Sequence, residues 1–70
     1  MKRLVTFEVA EPIEGYPKGV ALSQTDTGYA VHFINHNGQT IQGHYCDRIA
    51  EARATMENRI MLIPNPKVRA

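Results

Sequence analysis

Seventy residues with eight Lys/Arg against seven Asp/Glu make one near-neutral domain at most. That balance argues against a strongly basic nucleic-acid binder and equally against an acidic mimic of nucleic acid. Cys46 is the only cysteine, so no internal disulfide can reinforce a thin core, and a lone thiol fits a reducing, cytoplasmic compartment. The start, from Met1 to Glu8, is too briefly apolar for a signal peptide, and Glu8 breaks the run. No stretch approaches the roughly 20 apolar residues of a membrane span, so no membrane partner is expected.

In chain order, residues 3–10 read as a strand, because Val5, Phe7 and Val9 alternate with Thr6 and Glu8. Residues 11–19 read as a loop with two turns, the second a type I turn begun by Pro17 and closed by Gly19. Residues 20–25 form a second strand. Asp26, Thr27 and Gly28 follow as a short turn, with Gly28 expected in the left-handed conformation of a bulged hairpin loop. Residues 29–36 and 39–46 are a third and a fourth strand around Asn37-Gly38, which suits a two-residue type I′ turn.

A two-residue turn sets a register. His36 then faces Gln39, Ile34 faces Ile41, His32 faces Gly43 and Ala30 faces Tyr45, all on one side of the sheet. Tyr29, Val31, Phe33, Asn35, Thr40, Gln42, His44 and Cys46 take the other side, and the helix is expected over Val31 and Phe33. Asp47 is placed to cap that helix. From residue 48 to about 60, Ile49, Ala52, Met56 and Ile60 recur at spacings of three and four, and Arg53 and Glu57 are an i, i+4 pair. Met61, Leu62 and Ile63 continue as a short strand or as helix overrun. Pro64 and Pro66 halt regular structure, leaving residues 64–70 as a loose tail to a single domain of residues 1–63. The fold class is α+β: an antiparallel meander of three to four strands with one C-terminal helix on one face.

Three constellations bear on catalysis. His32, His36, His44 and Cys46 lie within fifteen positions, but the hairpin register divides them two and two between faces, so the histidines read as solvent-facing strand residues and no metal is expected. Cys46 precedes a helix start with His44 two residues back, the setting of an activated thiol, yet Asp47 adds a negative charge beside it. A structural cysteine is the expectation. Glu8, Glu11 and Glu14 read as a solvated acidic loop rather than general acids or bases. There is no Gly-rich phosphate loop, Gly-x-Ser-x-Gly turn or His-Glu-x-x-His pair, and so few residues hardly build a deep pocket, so neither enzyme activity nor a cofactor is expected.

The order of three strands and a helix, with Gly19-Val20, Gly28-Tyr29-Ala30, Gln42-Gly43-His44-Tyr45 and a helix bearing Ala50 and Ala52, loosely resembles two families of small DNA-binding domain. These are the domains of plant ethylene-responsive factors and the arm-binding ends of phage integrases. The resemblance implies a sheet laid in the major groove, with Gln24, His32, His36 and Gln42 toward the bases. The chain departs from that pattern in having no Lys or Arg between Lys18 and Arg48. Phosphate contacts would then fall to Arg48, Arg59, Lys67 and Arg69.

The leading expectation is a non-catalytic protein-binding module: a homodimer, an accessory subunit, or an inhibitor or adaptor similar in size and style to those of phages and mobile elements, such as the anti-CRISPR proteins. Its partner is another protein or a second copy, with nucleic acid the alternative. Interface residues are expected among Tyr16, Tyr29, His44, Tyr45, Arg48 and Arg59, where tyrosine supplies contact area at little entropic cost.

Overall fold

A computed structural model describes residues 1–64 of the chain. Four antiparallel strands, β1 (Lys2–Glu8), β2 (Gly19–Gln24), β3 (Tyr29–Ile34) and β4 (Thr40–Cys46), form a sheet in sequence order. The helix α1 (Ile49–Leu62) packs across β2, β3 and β4. The expected α+β meander is the observed fold.

Cross-strand rows show how the sequence builds this sheet. On the helix side, Phe7 pairs Val20, Val20 pairs Phe33 and Phe33 pairs Ile41, while Val5, Leu22, Val31 and His44 form the adjacent row. Val20, Leu22, Val31, Phe33 and Cys46 meet Ala52, Met56 and Ile63 in the core. Full burial of a side chain such as Val20 or Val31 is worth about 1.5–3 kcal/mol, so these few contacts carry most of the stability of so small a domain. The helix lies on the Val31–Phe33 face, as expected.

The β3–β4 connection differs from expectation. Asn35 N–H donates to the Gln39 carbonyl at 2.9 Å and Gly38 N–H to the Asn35 carbonyl at 2.9 Å, which closes a three-residue loop of His36, Asn37 and Gly38. Gly38 takes a φ of +85°, the left-handed position that follows a type I turn in such loops. The reason is the Asn35 side chain. Its Oδ1 accepts from the N–H groups of Asn37 (3.0 Å) and Gln39 (2.9 Å), fixing the wider turn from inside. The added residue pairs Ile34 with Thr40 and Phe33 with Ile41, not Ile34 with Ile41. Ile41 and Thr40 therefore exchange faces relative to the two-residue register.

Register is restored by a β-bulge. Between Val31 and Phe33 of β3 the pairing shifts, and His32 spans Gln42 and Gly43 of β4. Gln42 has a φ of +53° and is the only non-glycine with positive φ among the described residues. Beyond it, Ala30 faces Tyr45 as expected.

Other local expectations are corrected in the same way. The hydrogen-bonded turn before β2 joins Tyr16 N–H to the Ile13 carbonyl at 3.1 Å, with Gly15 at a φ of +89°, so it precedes Pro17. Gly19 lies within β2. Gly28 does not adopt positive φ; its lack of a Cβ admits the backbone carbonyl of Cys46 instead. Arg48, not Asp47, is the residue before α1, with no side-chain cap. At the other end, residues 61 and 62 are helix overrun, not a strand. Ile63 turns to extended φ and ψ (−92°, 121°), the conformation favoured before Pro64, and drops its side chain into the core. Residues 65–70, most of the expected tail, lie outside the described residues.

Candidate docking surface

The two edges of the sheet are unequal. On β4 the Gln42 bulge bends the strand, a device that spoils an edge for pairing. The guanidinium of Arg59 fills the irregular point from α1. Its Nη1 donates to the Val31 carbonyl at 3.0 Å and to the Gln42 carbonyl, and its Cζ lies 4.6 Å from the centre of the Phe33 ring. On β1 the irregularity falls near the start, between Arg3 and Val5, and the pairing with β2 is regular from Val5 to Glu8. Val9 N–H donates inward to the Lys18 carbonyl at 2.9 Å, continuing that pairing. By the alternation of an antiparallel ladder, the N–H groups of Thr6 and Glu8 point away from β2 into solvent.

The helix-side surface of β1 is also open. A helix is about 10–12 Å across with its side chains, whereas four strands at roughly 4.8 Å spacing are much wider, and α1 sits over β2 to β4. A groove of about 560 Å³ therefore runs between β1 and α1. Leu4, Val5, Phe7, Leu22, Met56 and Ile60 form its apolar wall and floor, with Ile49 at one side and Arg53 and Glu57 along the helix rim. Leu4 remains 41% exposed, Val5 48% and Ile49 39%. Val5 and Ile49, which read as core in the sequence, thus stand with Leu4 in an exposed apolar strip.

The residues expected at an interface do not converge. Tyr16 and Tyr45 are exposed, but Tyr16 lies in the β1–β2 loop and Tyr45 on the sheet face away from the helix. His44 is exposed on the helix-side row, and Arg48 is exposed just before α1. Tyr29 is half-buried against the core, and Arg59 is occupied with the bulge. Nor do Gln24, His32, His36 and Gln42 share a face: Gln24 lies on the helix side, His32 on the back, His36 in the turn and Gln42 at the bulge.

His32 is not solvent-facing. It is 9% exposed, its ring lies over Gly43 and stands edge-on to Tyr45 with centroids 6.0 Å apart, and its Nδ1 is buried with no hydrogen-bond partner. Burial, then the charges of Arg59 and Arg3, hold its pKa below the ordinary histidine value. His36 uses Nε2 to donate to the Tyr16 carbonyl at 2.8 Å, which pins the β1–β2 loop to the hairpin. Cys46 is buried in the core as a free thiol. Among the described residues no group of three or more His, Cys, Asp or Glu is placed to hold a metal ion, and no helix is long and apolar enough to cross a membrane.

No match to this chain is found among protein-family models, curated proteins or solved structures.

Proposed function

We propose that this chain is a small non-catalytic protein-binding module that engages its partner along β1 and the adjoining groove. The observation that carries the reading is the pairing of an open, regular strand edge with an exposed apolar strip on the same strand. Backbone groups at such an edge supply affinity by accepting another strand, and side-chain pockets beside it supply specificity. An accessory subunit, an inhibitor or an adaptor would each use such a surface.

The test is capture from a lysate of the source organism, with and without nuclease, using the wild-type chain and Val5→Glu. Val5 is already half exposed, so a carboxylate there is tolerated by the fold but places a charge in the groove. A discrete protein partner retained after nuclease and lost with Val5→Glu is the expected result. Captured material that vanishes with nuclease, together with oligonucleotide binding that weakens steeply with salt, would overturn the proposal in favour of nucleic acid.

A further inference from the structure

Resting on that reading, we infer that the partner of β1 is a second copy of this chain, paired antiparallel through β1 about a twofold axis near Thr6. The charge pattern of the strand is self-complementary. Lys2 and Arg3 stand at its start and Glu8 at its end, so antiparallel apposition brings opposite charges together at both ends, whereas parallel apposition sets like against like. Glu8 is available for this: its carboxylate lies 3.7 Å from Lys18 Nζ, yet its side chain is still 50% exposed.

The faces agree with the charges. With Thr6 opposite Thr6 of the second copy, Val5 meets Phe7 of the second copy on the helix side, and the reverse pair forms across the axis. The outward N–H groups of the two Thr6 residues then find each other's carbonyls rather than water. The exposed Leu4 and Val5 and the half-buried Phe7 of the two chains merge into one apolar floor between two helices. Closed twofold pairing of one patch with itself is also the commonest symmetry of soluble assemblies.

Sedimentation velocity on the full chain tests this, with Thr6→Lys as the variant. Thr6 is exposed, so two lysines meeting on the axis disrupt the pairing and leave the monomer fold intact, which circular dichroism checks. Wild type is expected at twice the 7.9 kDa chain mass, and Thr6→Lys at the chain mass. Thr6→Cys supplies a second readout. Paired strand positions about 5.5 Å apart suit a disulfide, so mild oxidation should link two chains at least about tenfold faster than it links Asp26→Cys in the β2–β3 loop. A wild-type monomer persisting to about 100 µM, or equal linking of the two cysteine variants, would overturn the inference. A wild-type monomer that still holds a different, Val5-dependent protein partner would overturn the second copy while leaving the binding module in place.

Discussion

The carbonyl oxygen of Gln42 accepts a hydrogen bond from the guanidinium of Arg59, tying the last turn of α1 to the single non-glycine residue with left-handed backbone among those described. Helix and bulge thereby hold each other. The same Arg59 nitrogen serves the Val31 carbonyl across the bulge, and the Arg59 Cζ sits over the Phe33 ring. One side chain on α1 thus satisfies backbone acceptors where the ladder is irregular.

Arg59→Met keeps the length of the side chain and removes its donors. It should destabilise the fold by about 2 kcal/mol, from acceptors left without partners and a lost cation–π contact. Arg59→Lys should recover less than half of that, because a point charge cannot both reach the two carbonyls and stack on the ring. Urea unfolding of the three proteins checks both values.

Gln42→Gly should stabilise the protein by roughly 0.5–1 kcal/mol, since glycine adopts the left-handed conformation without the steric cost of a Cβ. Gln42→Val should destabilise it by more than that, a β-branched residue being least suited to positive φ. Unfolding midpoints of the two variants should move in opposite directions. Movement in the same direction would refute the assignment of strain to this residue.

A Cβ at position 43 would stand 2.5 Å from His32 Nε2. Gly43→Ala should therefore cost about 1–3 kcal/mol, as overpacking does. In the background of His32→Ala, whose short side chain vacates the space over residue 43, the same change should cost much less. A double-mutant cycle measures the coupling, and additive effects would disprove the contact.

His32 also makes stability depend on pH. Its folded pKa lies below the ordinary value near 6.5, so between those two values the unfolded chain binds more protons than the folded one. Its contribution to stability is complete above the unfolded pKa and is lost as pH falls toward the folded pKa. Urea midpoints should drop as pH is lowered through about 6.5, and His32→Gln should remove that part of the slope. An unchanged slope in the variant would show that another group is responsible.

Much of the architecture is legible in the residues themselves. Alternation at Val5, Phe7, Val31 and Phe33, together with Gly and Asn at the chain reversals, yields the meander. The spacing of Ala52 and Met56 yields the helix and its buried face. What escapes the sequence is decided by side chains acting on backbone at a distance of several residues. Asn35 widens the turn after it, and His32, Gly43 and Arg59 together accommodate a bulge that no residue type at position 42 announces. The exposed apolar strip escapes for another reason: Val5 and Ile49 carry the pattern of core residues, and only the width of one helix over four strands leaves the groove between them open. That arithmetic was the available signal, since a single helix was evident from the start.

The bent strand at the far side of the sheet has a consequence for assembly as a reaction. A sheet with two competent edges is a bifunctional monomer, and pairing one edge always leaves another to grow, which is step polymerisation into a fibre. The bulge at Gln42 leaves β1, regular from Val5 to Glu8, as the better-formed edge of this sheet. If two chains pair through β1 as inferred, that pairing uses the regular edge and ends growth at a dimer, so concentration would raise the amount of complex without raising its size.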